Sequence, residues 1–455
     1  MGIRCFLIST NTVTTPYAVH PLGIAHLSGA LRQHGHEVEQ FDVLAKPGQT
    51  VLAQRLTDFR PDLIGISIRN IDTVDSNDPQ YFLNDLSKVL GAIRAHSSAP
   101  IVVGGSAFSL FPEKIMALSG ADYGITGEGE QSICDLADAL ERGTPPAIGT
   151  FINGSPSHDG KWFPVAYDDG IAEYYLKRGG TLNVQTKRGC PSRCDYCSYP
   201  LLEGRHYRYR DPEEVADEVG RLTVEHSAKF VFFTDSVFND LKGEYLKIAE
   251  ALIRQGNTTP WCAFFRPSSM ERDALEILKR SGLHSIEYGT DAASDVTLMG
   301  MHKSFTMEEV FHTQKLTSEL GIPSAHFVIF GGPEEDRQTF EEGLHNMERL
   351  SDSVVFAFNG IRIIPNAPIQ KRAIAEGIIG ANDDLLEPVF YFSPKIERDY
   401  MKHRLQQEWD SREDRVFPVT GTNSQLEILY NLGFAGPLWD KLLPRQRPAR
   451  KRAAR

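Results

Sequence analysis

The chain has 455 residues, 41% of them hydrophobic and 24% charged, and a formal net charge of −12. These are ordinary globular proportions in a chain too long for one hydrophobic core, and the acidic balance argues against a surface built mainly to hold nucleic acid. Six cysteines do not make a disulfide framework and no apolar run reaches the length of a membrane span, so a cytoplasmic protein in a reducing environment is expected.

Residues 1–145 read as an α/β domain. Strands are expected at Ile3–Ile8, Glu37–Val43, Leu63–Ile68, Pro100–Gly105 and Tyr123–Ile125, with helices at Gly23–His34 and Tyr81–His96. Short apolar runs alternating with helical patterns predict a doubly wound, Rossmann-like parallel sheet, which binds ligands at the carboxyl ends of its strands. Glycines sit at those ends: Gly104 and Gly105 close one strand, and Gly127 and Gly129 flank Glu128 after another. Glycine there suits either a tight turn or close backbone approach to a large ligand.

A stretch rich in Pro and Gly over residues 146–180, including Pro156 and Gly160, reads as a linker. Strand and helix signals resume at Leu182–Thr186, which delivers Arg188-Gly189-Cys190-Pro191-Ser192-Arg193-Cys194-Asp195-Tyr196-Cys197. Three thiolates at C-x3-C-x2-C can ligate three irons of a 4Fe-4S cluster and leave the fourth iron open, whereas ordinary cluster sites supply four cysteines. A zinc site or three incidental thiols are the alternatives. Zinc would want a fourth Cys or His at matching spacing. The nearest histidine, His206, lies in a basic stretch.

Further strands are expected at Phe230–Phe233, Trp261–Phe265, Ser285–Tyr288, Ala325–Phe330 and Gly360–Ile364, with a helix over Pro212–His226. Six such units over residues 181–380 suit a partial (β/α)6 barrel, whose active groups project from the carboxyl ends of strands. Those ends carry Asp235, Arg266, Glu287 and Asp291, His326 lies within the fifth strand, and Gly331 and Gly332 follow it. Residues 381–440 read as a small, mostly helical cap, and 441–455 as a basic disordered tail. Cys5, Cys134 and Cys262 sit in apolar segments and read as small buried hydrophobes.

The cysteine spacing, with Tyr196 just before the third cysteine, resembles the signature of the radical S-adenosylmethionine superfamily. The segments Pro21-Leu22-Gly23, Gly35-His36-Glu37, Pro61-Asp62-Leu63, Val103-Gly104-Gly105 and Gly127-Glu128-Gly129-Glu130 resemble the cobalamin-binding domain that precedes the barrel in the superfamily's B12-dependent branch. The resemblance implies that Cys190, Cys194 and Cys197 are catalytic and hold the cluster metal, and that Tyr196 adjoins the cofactor. It implies that Ser67, Arg69, Gly104, Gly105, Gly127, Glu128 and Gly129 face cobalamin, and that Asp235, Arg266, Glu287, Thr290, Gly331 and Gly332 face S-adenosylmethionine. In the family the second-strand end is usually Gly-Gly-Glu-like, and here it is Thr234-Asp235-Ser236. The D-x-H-x-x-G cobalt loop is also altered: His20-Pro21-Leu22-Gly23 remains, but Ala18 stands in place of the aspartate. His20 therefore reads as incidental. If Arg69 faces the corrin it leaves cobalt without a protein ligand, since a guanidinium does not coordinate metals, and the alternative is an ion pair with Asp72 or Asp75.

What the resemblance implies for activity is radical C-methylation of a small molecule, specialised-metabolite or lipid-related, through a 5'-deoxyadenosyl radical and methylcobalamin. Cyclisation, rearrangement and methylation of phosphorus or an sp2 carbon use the same apparatus, and a cobalamin- or redox-sensing binding protein is the non-enzyme alternative. The implied partners are the substrate and an electron donor such as flavodoxin or ferredoxin, with no nucleic acid and no membrane span.

Overall fold

Two parallel sheets organise the computed structural model, which describes residues 2–14, 17–154 and 162–443. The first contains β1 (Arg4–Ser9), β2 (Glu37–Asp42), β3 (Leu63–Ser67), β4 (Ile101–Gly104), β5 (Tyr123–Thr126) and β6 (Thr150–Asn153) in the order β2-β1-β3-β4-β5-β6. All pairs are parallel. Strand order reverses between β1 and β3, so a crevice opens above Ser9 and Ser67, where a doubly wound sheet takes its ligand. β6 extends this sheet beyond residue 145, and a helix, Asp169–Gly179, occupies the end of the expected linker. Pro156 and Gly160 lie outside the described residues.

The second sheet contains β7 (Thr181–Val184), β10 (Phe230–Phe233), β11 (Trp261–Phe265), β12 (Leu283–Asp291), β13 (Ser324–Phe330), β14 (Ser353–Asn359) and β17 (Arg415–Val416). Its order, β17-β14-β13-β12-β11-β10-β7, with every pair parallel, is that of an incomplete barrel wall. Two short antiparallel pairs accompany it: β8 (Lys187–Arg188) with β9 (Arg208–Tyr209), and β15 (Ile361–Arg362) with β16 (Phe390–Tyr391). The sixth barrel strand is thus β14, not the expected Gly360–Ile364. Both segments are short apolar runs, and the later one turns away at Gly360, φ +72°, to pair antiparallel with β16.

Helix starts follow local chemistry. Pro212 opens the helix Pro212–His226, and the Asp211 carboxylate accepts from the backbone N–H of Glu213 (2.9 Å) and Glu214 (3.2 Å), satisfying two otherwise orphaned donors. Thr306 and Glu309 form a capping box on Met307–Glu319.

Barrel strands alternate. Trp261, Ala263 and Phe265 join the core beneath the helices, whereas Phe232, Cys262 and Phe264 face inward against Tyr17. Trp439 fills the lumen beside Ala325, Val354 and Phe356. One core cluster runs from Leu7, Ile24 and Ile133 of the first sheet to Leu182, Val184 and Val215 of the barrel, so the two units are packed together. A buried ion pair between Asp72 and Arg362 (2.8 Å) and a hydrogen bond from Tyr175 to Asp42 (3.0 Å) lock the seam. Cys5, Cys134 and Cys262 are buried, as expected of small hydrophobes. The cap contains the helices Arg398–Trp409 and Asn423–Asn431, and residues 444–455 of the basic tail lie outside the described residues. No helix among the described residues is long and apolar enough to cross a membrane.

Candidate functional site

The cysteine loop leaves β8 through a turn that only glycine can make. Gly189 has φ +87°, and a Cβ there would stand 2.1 Å from the His206 carbonyl oxygen. Cys190 N–H then donates to Gly204 O (3.0 Å). Asp195 pins the middle of the loop to the rest of the barrel. Its N–H donates to Met301 O (3.2 Å), its carbonyl accepts from Ile369 N–H (3.0 Å), and its carboxylate lies 2.5 Å from His302 Nδ1.

Cys190 is buried and Cys194 and Cys197 are half-buried. Burial pushes the Cys197 thiol up to about 12 and raises Cys194, with the Lys303 ammonium opposing at both. A bare loop therefore holds thiols, and a cation bound among the sulfurs is what makes them ligating thiolates. Three sulfurs on one pinned loop, with the neighbouring His302 already paired to Asp195, fit a cluster with one open iron better than a closed zinc site.

A cavity of about 560 Å³ lies where the first sheet meets the barrel. One wall comprises Ser9, Asn11, Ser67, Arg69, Gly104, Gly105, Gly127, Glu128 and Gly129, and the other includes Asn183, Gln185, Arg188, Ser198, Tyr199 and Thr234. Arg188 and Ser198 bracket the cysteine loop in sequence, which sets that loop beside the cavity. Unpartnered polar groups line it. Both ring nitrogens of His20 and Nε2 of His26 are buried without a hydrogen bond, and burial pushes both histidines down to about 3. The Arg69 guanidinium is exposed to the cavity and has no hydrogen bond or ion pair among the described residues, because Asp72 is taken by Arg362 and Asp75 by Asn77. Buried polar groups without partners are costly, so this wall fits a large ligand with many polar substituents, as cobalamin is.

Gly105 lines the cavity and is also constrained from behind. At φ +99°, a Cβ there would meet Ile68 O at 2.6 Å, so close packing against the chain leaving β3 is what excludes a side chain. Glu128 also has protein partners. Arg188 reaches it with NH1 (2.9 Å) and Glu130 with NH2 (2.6 Å), Arg208 donates to the other Glu128 oxygen, and Trp162 stacks 4.6 Å from the Arg188 guanidinium. Burial pushes Glu130 up, but Arg188 overrides it and holds the carboxyl at about 2. This clamp ties the glycine loop after β5 to the strand that delivers the cysteines.

The expected S-adenosylmethionine contacts divide. Tyr196 lies in the cysteine loop with its hydroxyl 3.4 Å from Lys303 Nζ. Asp235 is fully buried and accepts from Thr186 N–H (2.7 Å), Lys187 N–H (3.2 Å) and the Thr186 hydroxyl, so it holds the β7–β8 corner. Arg266 bonds Ser268 (2.6 Å) and Ser304 O, and its guanidinium lies over Phe305. Thr290 faces away from the lumen and pairs with His326 (2.7 Å), whose other nitrogen meets Gln314 (3.0 Å). Glu287 faces the lumen, accepts from Trp439 Nε1 (2.9 Å), and is pushed up to about 7 by burial. Gly331 and Gly332 turn the chain after β13, with the Gly331 N–H on the Glu335 carboxylate, which burial pushes up to about 8. None of these seven lines the cavity.

Sequence reasoning missed the Arg188 clamp, for which the pair Glu128 and Glu130 was a faint signal, and Lys303, for which spacing gave none. Outside this region His36, Asp138 and Glu141 approach within 4.8 Å of one another. His36 Nδ1 accepts from Ile3 N–H, so in the neutral ring Nε2 carries the proton and donates to Asp138 (3.1 Å), which is a hydrogen bond and not a metal geometry.

Comparison with known proteins gives two family matches, the B12 binding domain over residues 8–137 and the Radical SAM superfamily over residues 184–346. Tryptophan 2-C-methyltransferase of Streptomyces laurentii is 24% identical over 445 residues, covering 80% of this chain and 73% of that protein. Hopanoid C-3 methylase of Methylococcus capsulatus is 25% identical, covering 71% and 63%. The structure of the radical S-adenosylmethionine methyltransferase TsrM from Kitasatospora setae, with cobalamin and a [4Fe-4S] cluster bound, superposes with a TM-score of 0.83 at 24% identity, covering 97% of each chain.

Proposed function

We propose that this chain, which belongs to the radical SAM superfamily and carries a B12 binding domain ahead of its radical SAM domain, is a cobalamin-dependent methyltransferase acting on carbon of a small molecule. The observation that carries the reading is the shared cavity. The first-sheet wall (Ser67, Arg69, Gly104, Gly127) and the flanks of the cysteine loop (Arg188, Ser198, Tyr199) face one cavity at the seam. Methylation of carbon in the relatives from Streptomyces laurentii and Methylococcus capsulatus supports it.

Cys190, Cys194 and Cys197 would hold the cluster, and the first-sheet wall would hold cobalamin. Bound there, the cluster with S-adenosylmethionine supplies a 5'-deoxyadenosyl radical and cobalamin supplies a methyl group. The chain's own part is enclosure and orientation. The shared core and the buried Asp72–Arg362 and Glu128–Arg188 pairs hold the two walls together, which keeps water from a reactive carbon centre. Arg69 presents a charge that cannot ligate metal. A small one-electron donor protein such as flavodoxin or ferredoxin would reduce the cluster.

The test is anaerobic reconstitution with iron, sulfide and hydroxocobalamin, followed by incubation with S-adenosylmethionine bearing a trideuterated methyl group and a chemical reductant. The expected result is one cobalt and close to four irons per chain, with a trideuteromethyl group on the recovered cobalamin and S-adenosylhomocysteine released. Cobalamin that binds but gains no methyl group would turn the reading toward a cyclase or a sensor.

A further inference from the structure

The loop Met301–Lys303, after the helix Asp295–Gly300, brings a buried cation to the cysteine loop. Lys303 is 9% exposed at its side chain, and its ammonium meets Asp291 in an ion pair and the Tyr196 hydroxyl at 3.4 Å. The rings of Phe305 and Tyr196 lie 5.4 and 5.8 Å from it. Tyr196 stands between Cys194 and Cys197 in sequence, so the ammonium lies against the stretch of loop that carries two of the three sulfurs. The placement is built from three elements. Asp195 fixes the cysteine loop to Met301 and His302, Tyr196 lies beside the ammonium, and Asp291 ends β12 at φ +63°. A non-glycine residue at that φ is costly unless its surroundings demand it.

We infer that Lys303 and Asp291 together set the reduction potential of the cluster held by Cys190, Cys194 and Cys197. The inference rests on the cluster reading above. Reduction adds one electron to a cluster whose three thiolates already make it anionic. An adjacent ammonium in a low-dielectric setting stabilises that added charge and raises the potential, while the Asp291 carboxylate opposes it. Lys303 and Asp291 act here through their charge beside the cysteine loop.

The experiment is a redox titration of the reconstituted protein with dithionite, monitored by electron paramagnetic resonance of the reduced cluster, without S-adenosylmethionine. Wild type is compared with Lys303→Met, Lys303→Arg and Asp291→Asn. Asparagine tolerates the left-handed backbone at 291, so that variant removes charge without changing the turn. The expected result is opposite displacement: Lys303→Met moves the midpoint to more negative potential, Asp291→Asn moves it to more positive potential, and Lys303→Arg stays near wild type. A purely structural role would not produce opposite signs. Unchanged midpoints, displacement of both in one direction, or failure of both to assemble a cluster would overturn the inference. If Lys303→Met alone fails to assemble, the Asp291→Asn midpoint decides. Iron and sulfide analysis of wild type separates this failure from that of the functional reading, because a wild type without iron refutes the latter.

Discussion

Glu287 offers a pH-dependent stability that can be worked out from its surroundings. It is 2% exposed, faces the barrel lumen, and has Trp439 Nε1 as its hydrogen-bond donor. Burial raises its pKa from an ordinary 4.5 to about 7. Below the unfolded value the carboxyl is protonated in both states and pH has no effect through it. As pH rises from there toward 7 the unfolded chain releases the proton while the folded chain retains it, so stability falls. Above 7 the loss is complete. Two to three pKa units at ~1.4 kcal/mol each make the loss about 3 kcal/mol. Glu287→Gln keeps an oxygen for Trp439 and removes the ionisation. The variant is therefore expected to match wild type near pH 4 and to exceed it by about 3 kcal/mol at pH 8, read as a higher midpoint in thermal unfolding of equally loaded samples. A variant no more stable than wild type at pH 8, or a gap of the same size at both pH values, would refute the placement of this carboxyl in a dry lumen.

Replacing Cys194 by Ala is expected to abolish the cluster while cobalt binding persists. Iron analysis and the cobalamin absorption spectrum of one sample check this, and retained cluster absorbance would count against the ligand assignment. Arg188→Met strands the Glu130 carboxylate in a buried seam and leaves Glu128 with Arg208 alone. It is expected to cost about 3–5 kcal/mol in denaturant unfolding, and a loss below about 1 kcal/mol, typical of exposed pairs, would mean the clamp is solvated. Gly189→Ala forces a methyl group onto the His206 carbonyl, so iron incorporation is expected to fall together with the unfolding midpoint of the apo protein, and an unchanged midpoint with full iron would count against this turn.

Much of this architecture can be read along the chain because its signals are local. Apolar runs bounded by turns located β1 to β5 and five of the barrel strands, and Pro212 marked the helix it begins. Cysteine spacing is local too, and it carried the chemistry. Failures came where two local signals were equivalent or where the deciding contact was distant. Val354–Phe358 and Ile361–Ile364 are both apolar, and only pairing with β13 or with β16 distinguishes them. Asp235 and Thr290 sit at strand ends as cofactor ligands would, yet their partners are Thr186 and His326, from other strands or corners. Period-two alternation places a side chain inside or outside only when register is known, and register was not available from one sequence. Lys303 meets Tyr196 and Asp291 through a fold-level contact that leaves no mark in spacing.

Tyr17 and Trp439 fill the same barrel from opposite stretches of the chain. On a ribosome the first aromatic plug is available early and the second only after the whole wall has been synthesised. Until then the inner faces of β13 and β14 are without their final cover. The lumen is therefore the part of the fold that closes last on the side of β13 and β14, when residue 439 emerges.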